Sequence, residues 1–148
     1  MAAVRRAEAT WQGDLIKGSG QTTAVSSKAF SSLPVSWAAR TEESGGGKTS
    51  PEELVAAAHA SCYAMAFSAG LGRAGTPPER LDVSATVTFD KVGEGWKVVS
   101  SALTVRGKVP GIDADAFKKA AEAAKDGCPI SQALKGNVDL SVEATLES

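Results

Sequence analysis

The sequence predicts an α+β fold, and three observations carry that prediction. The segment from Ser50 to Gly72 has the marks of one long helix, residues 81 to 90 alternate strictly between apolar and polar, and the remaining strand signals group around helices instead of alternating with them one for one. At 148 residues the chain fits a single domain over 1–148, large enough to remove roughly 68–70% of its unfolded surface from water without a disulfide or metal staple.

Taken in order, residues 4–11 (VRRAEATW) and 20–26 (GQTTAVS) read as early strands joined through a glycine-bearing turn, and Val35 to Arg40 as a further short strand. The loop Glu42-Glu43-Ser44-Gly45-Gly46-Gly47 follows, its glycines opposing regular structure. Ser50 then offers an N-cap, Pro51 suits the first helical position, and Glu53 completes a capping box three residues on. A helix starting there runs through PEELVAAAHASCYAMAFSAGLGR until Gly72, Gly75 and Pro77-Pro78 stop it. That is about 22 residues, a rod of ~33 Å. Its many alanines leave most of the circumference with short side chains, which predicts a central helix buried on several sides.

Leu81, Val83, Ala85, Val87 and Phe89 define the apolar face of the next strand, and Gly93 and Gly95 turn the chain into a partner over Trp96 to Val105, with a loop of about five residues. A second helix from near Asp113 to Asp126 carries Phe117, Ala120, Ala121 and Ala124 on one stripe, and Gly127 closes it. Cys128 comes next, Pro129 opens a short helix ending at Gly136, and Val138 to Leu146 is a final alternating strand.

Lys and Arg total 16 against 17 Asp and Glu, with no block of either sign, so nothing resembles a phosphate-tracking surface and nucleic acid is not an expected partner. The opening MAAVRRAEATWQGD has two arginines but no apolar run behind them, unlike a secretory leader. No stretch approaches ~20 apolar residues, so no membrane span is expected. The expected compartment is the cytoplasm, where cysteines that do pair are more often catalytic or redox-sensing than structural.

The chain has two cysteines, Cys62 in the middle of the long helix and Cys128 where an N-cap belongs. A buried inert thiol is the commonest role for such residues. A thiol of pKa ~8.5 is only a few per cent ionised at neutral pH, and lowering it by two units takes ~2.7 kcal/mol of preferential stabilisation. A helix terminus supplies ~0.3–1 kcal/mol and fades within a turn, which Cys128 can use and Cys62, three turns in, cannot. Cys62 therefore needs a fixed cation. Arg40, ahead of the glycine loop, is the best candidate, with Glu52 in the first helical turn as its partner; the alternative for Glu52 is ordinary helix capping. His59 lies three residues before Cys62, so a Cys2His metal set of His59, Cys62 and Cys128 is one alternative, and a core histidine with satisfied hydrogen bonds another. Trp11, Trp37 and Trp96 read as core or cavity-wall residues, and no Walker, dinucleotide or nucleophile-elbow pattern is present.

The run T-S-P-E-E-L-V-A-A-A-H-A-S-C-Y-A-M-A, followed far downstream by G-C-P-I-S-Q-A-L, resembles the OsmC/Ohr family of thiol peroxidases. The likeness extends over nearly the whole chain, through A-T-W-Q-G-D at the start, F-D-K-V in the hairpin and V-P-G-I-D before the second helix. It implies an OsmC-like fold with strongly curved antiparallel sheets around two central helices, in an intertwined homodimer. It implies reduction of organic hydroperoxides, and less efficiently hydrogen peroxide, in stress defence, with no cofactor and with a dithiol reductant, a dihydrolipoyl group, closing the cycle. Carried over by position, Cys62 is the peroxidatic cysteine, Cys128 the resolving one, Arg40 the activating arginine and Glu52 its carboxylate partner. Lys17 stands in the early turn where the organic-hydroperoxide-resistance branch has its arginine, whereas a strand arginine such as Arg40 typifies the osmotically inducible branch, which the chain resembles more. Ten residues separate Glu52 from Cys62, ~15 Å along a helix, more than a carboxylate can reach. The simplest arrangement has the neighbouring subunit supply Arg40 and Glu52.

Overall fold

The computed structural model describes residues 1–148, which form two compact units, Met1–Leu54 and Val55–Ser148. The boundary falls in the first turn of the long helix.

The first unit holds a three-stranded antiparallel sheet in the order β1 (Ala7–Gln12), β2 (Ser19–Ala24), β3 (Leu33–Val35), and a five-residue helix α1 (Trp37–Thr41). The turn between β1 and β2 is built by Asp14, whose Oδ1 accepts the amides of Ile16 and Lys17 at 2.9 and 2.8 Å. The strand expected over 35–40 is thus only partly present. Ser36 intervenes as an N-cap, its Oγ accepting the Ala39 amide at 3.1 Å, and the alanines after it favour helix, so Arg40 sits in a helical last turn and not on a strand.

Helix α2 (Pro51–Arg73) starts where its capping signals place it. The Glu53 amide donates to Ser50 Oγ at 3.1 Å, but only half of the box forms, because the Glu53 carboxylate accepts the Thr49 hydroxyl at 2.7 Å instead of the Ser50 amide.

In the second unit, β4 (Arg80–Val92) and β5 (Gly95–Lys108) form a long antiparallel hairpin, and β6 (Asp139–Leu146) joins β5 in parallel, giving the order β4-β5-β6. This sheet is mixed, where the family likeness implied antiparallel sheets. The hairpin turn is shorter than the five residues expected: Gly93 and Glu94 alone make it, Gly93 supplying a φ of +64°. Thr88 faces Ser100 while Phe89 faces Val98, leaving Val99 as a bulge. Helix α3 (Ala114–Gly127) is capped by Asp113, whose Oδ1 accepts the Ala116 amide at 2.8 Å, and includes Gly127. Cys128 ends α3 and is the N-cap of α4 (Pro129–Leu134).

The core of this unit is Tyr63, Phe67 and Leu71 from α2, Leu103 and Val105 from β5, and Phe117, Ala121 and Ala124 from α3. Phe67 bridges Tyr63 and Phe117, with ring centroids 5.6 and 5.1 Å away. The Tyr63 hydroxyl, fully buried, donates to the Ala121 carbonyl at 2.9 Å. Gly107 lets β5 pass under Phe117: a Cβ there would stand 2.5 Å from Phe117 Cζ. A Gly107→Ala protein should therefore lose about 1–3 kcal/mol, read as an earlier urea midpoint at unchanged slope.

Two expectations for α2 need correction. Beyond Glu52 in its first turn, within one chain it buries only the stripe His59, Tyr63, Phe67 and Leu71, while Ala57, Ser61, Met65, Ser68 and Ala69 are exposed, so it is not covered on several sides. It is also long and apolar enough, by length and composition, to cross a bilayer, contrary to the expectation that no stretch approaches that. The hydropathy comes from alanine and from a lack of charge between Glu53 and Arg73, and the large side chains of its buried stripe are spent on a protein core.

Candidate active site

In the first unit, the predicted pair Arg40 and Glu52 meets. Arg40 Nη2 donates to Glu52 Oε1 at 2.8 Å, and Nε lies 3.2 Å from both carboxylate oxygens, a forked ion pair that only a guanidinium can make. The Glu52 side chain is nine-tenths buried and that of Arg40 is 30% exposed, so the guanidinium is anchored yet still presented to solvent. It also lies 5.6 Å from the Trp37 ring centroid. Trp11, Leu15, Val35, Trp37, Arg40 and Pro51 line a cavity of about 260 Å³, apolar apart from Arg40 and Ser36. The expected wall role thus holds for Trp11 and Trp37, whereas Trp96 is neither core nor wall but half exposed and stacked on Phe89 at 5.0 Å.

In the second unit, Cys62 and Cys128 come together as free thiols with interacting sulfurs, Cys62 partly exposed on α2 and Cys128 fully buried at the start of α4. Their ionisation tendencies are opposite. Burial pushes the Cys62 thiol up, the Ile130 amide only partly offsets this, and the neighbouring Cys128 raises it further. Burial would raise Cys128 too, but the amides of Ser131 and Ile130, the Cys62 thiol and the Ser131 hydroxyl outweigh it and hold Cys128 below the ordinary thiol value. No full side-chain cap bond closes at Cys128, so the pull of the α4 N-terminus is electrostatic. The sequence reading left Cys62 without help from a helix terminus, yet the Ile130 amide in the first turn of α4 does favour its thiolate, while Cys128 has the start of α4 as expected.

His59 is fully buried beside the pair. Its Nδ1 lies 2.6 Å from Ser101 Oγ and its Nε2 2.8 Å from Ser131 Oγ. Both ring nitrogens are occupied and no cluster of ligating side chains is assembled, so the Cys2His alternative gives way to a core histidine with satisfied hydrogen bonds. Ser101 and Ser131 escaped the sequence reading. Ser131 could have been found as the residue three after an N-cap, but Ser101 is one of many serines in a strand and carries no signal.

Burial pushes the His59 pKa below its usual 6.5, so the fold holds a neutral imidazole. The unfolded chain takes up this proton more readily, so the stability His59 contributes is fully present above about pH 6.5 and declines as pH falls below it. The loss of urea midpoint between about pH 7.5 and pH 5.5 should be smaller in His59→Gln than in the unaltered protein.

An α+β chain with a helix-borne thiol set against a buried thiol at a helix start defines a class, the proteins built around an apposed cysteine pair. More particularly, the chain belongs to the OsmC-like protein family, whose model matches residues 44–143. It is 40% identical to peroxiredoxin OsmC of Escherichia coli over 143 residues, 97% of this chain and 98% of that one. It is 31% identical to the organic hydroperoxide resistance protein of Xanthomonas axonopodis pv. citri over 100 residues, 66% of this chain and 68% of that protein. The higher identity and fuller coverage with the former agree with the branch expected from Arg40. The crystal structure of the organic hydroperoxide resistance protein OhrB of Bacillus subtilis shares the fold, with a TM-score of 0.73, 22% identity and coverage of 95% of this chain and 98% of that one.

Proposed function

We propose that this protein is a cysteine-dependent peroxidase that reduces organic hydroperoxides, and hydrogen peroxide less well, in defence against oxidative or osmotic stress. The apposition of the partly exposed Cys62 to the buried Cys128 carries the reading. The Cys62 thiolate attacks the peroxide O–O bond, an alcohol or water leaves, and the sulfur is left as a sulfenic acid. Cys128 displaces the sulfenic oxygen as water and forms the Cys62–Cys128 disulfide, which an external dithiol reduces through a mixed disulfide.

Arg40 and Glu52 are the activating pair in this proposal. Ten helical residues, ~15 Å, separate Glu52 from Cys62, and burial disfavours the Cys62 thiolate, so the cation is assigned to the partner subunit of a homodimer. The exposed apolar positions of α2 support a second copy as the covering surface. The cavity beside Arg40 suits the apolar body of an organic hydroperoxide, with the guanidinium at its mouth for the peroxide oxygens. The whole chain acts as one peroxidase domain, in a cytoplasm that keeps both thiols reduced between turnovers by means of a dithiol such as a dihydrolipoyl group.

Consumption of cumene hydroperoxide with dithiothreitol tests the proposal. The unaltered protein should turn over repeatedly and Cys62→Ser should not; equal rates in the two would defeat it.

A further inference from the structure

We propose that His59 is a positioning residue for disulfide formation, acting through Ser131 to hold the Cys128 sulfur ready to attack Cys62. The inference rests on the peroxidase reading above, to which it adds a residue. His59, Ser101 and Ser131 come from α2, β5 and α4, and all three are at least 98% buried. Burying three polar side chains in a core costs free energy that an apolar set of like volume would avoid. Their hydrogen bonds are complete, and short for neutral groups.

A neutral imidazole has one N–H, so of the two serines one accepts from the ring and the other donates to it. With the proton on Nε2, Ser131 Oγ accepts from His59, Ser101 donates to Nδ1, and the Ser131 hydroxyl proton is left to point at another acceptor. The Cys128 sulfur, at the N-cap three residues before Ser131, is assigned as that acceptor. With the proton on Nδ1, Ser131 spends its hydroxyl on the ring and has nothing for the sulfur. A Cys128 thiolate therefore selects the first tautomer, and the chain Ser101 to His59 to Ser131 to Cys128 runs with every donor aimed toward the sulfur. The titratable groups around this chain are Cys62 and Tyr63, also on α2, and Glu122 of α3, which acts on Tyr63. Each is acidic or thiol, and the Lys125 ammonium of α3 is spent on Glu122 at 2.8 Å, so none supplies the sulfur with a positive charge, and the hydroxyl and the α4 amides do that work.

The step served is attack of the Cys128 thiolate on the Cys62 sulfenic sulfur. The S–S bond forms as the S–O bond breaks, hydroxide leaves and takes a solvent proton to become water, Cys128 is oxidised and the sulfenic sulfur is reduced. The rate follows the thiolate fraction of the attacking sulfur, which a missing donor lowers.

The test separates the two steps by rapid quench and mass spectrometry after one equivalent of cumene hydroperoxide, across a pH series, in the full-length protein. In His59→Leu and Ser131→Ala, oxidation of Cys62 should keep its rate, while disulfide formation slows about tenfold or more and its pH midpoint moves upward. His59→Gln, whose amide can still donate toward Ser131, should recover part of the loss. If His59→Leu does not fold, Ser131→Ala, which removes only a hydroxyl, carries the comparison. Disulfide formation at the unaltered rate and midpoint in folded Ser131→Ala would overturn the proposal, as would equal slowing of both steps. Absence of Cys62 oxidation in the unaltered protein would defeat the underlying peroxidase reading instead.

Discussion

Cys62→Ser is expected to lower hydroperoxide turnover by about three orders of magnitude or more, whereas Cys128→Ser should still complete one round of reduction. A serine hydroxyl is not ionised near neutral pH, and the thiolate is the species that attacks oxygen. Cys128 has no part in that attack, so its loss leaves a rapid burst of one hydroperoxide per chain, followed by slow recycling that depends on the added thiol. Burst size and steady-state rate, followed as cumene hydroperoxide disappearance, measure the two effects separately. The assignment is not trivial, because within the second unit Cys128 is the thiol favoured for ionisation and Cys62 the one disfavoured. A burst that survives in Cys62→Ser and vanishes in Cys128→Ser would reverse the roles.

The second large effect concerns where Cys62 obtains its cation. Glu52→Ala frees Arg40 from the fork that orients it, and Cys62→Ser removes the nucleophile, so each protein alone should be nearly inactive. If Arg40 and Glu52 serve the neighbouring subunit, a mixed dimer has one complete site, made from Cys62 of one chain and Glu52 of the other. Random pairing in an equal mixture makes half the dimers mixed with one of two sites complete, so activity should recover to about a quarter of the unaltered level. Native mass spectrometry, which resolves the mixed dimer, shows that exchange has taken place. No recovery with exchange complete would place the pair in the same chain as the thiol it serves.

Much of this architecture was legible in the residues because local chemistry decided it. Ser50, Pro51 and Glu53 announced the start of α2, Asp113 that of α3 and Pro129 that of α4, and the alternation from Leu81 announced β4. The failures were those where local and tertiary signals differ. Val35 to Arg40 read as one short strand, yet Ser36 caps a helix over Trp37–Thr41, a choice that one side-chain hydrogen bond settles. The parallel pairing of β6 with β5 leaves no trace in a period-two pattern, since alternation fixes which face is buried and not which direction the partner runs. The site was legible to the same degree. Motif resemblance named Cys62, Cys128, Arg40 and Glu52, and the structure pairs them two by two, but the serines that flank His59 depend on three elements meeting in space.

The most direct measurement is a count of free thiols, with mass analysis of the cysteine peptides, after one equivalent of organic hydroperoxide is added to the reduced protein. The count should fall from two per chain to none, with a disulfide joining the Cys62 and Cys128 peptides, and in Cys128→Ser a dimedone adduct should appear on Cys62. Two thiols remaining after the hydroperoxide is added, or an adduct confined to Cys128 when Cys62 is present, would contradict it.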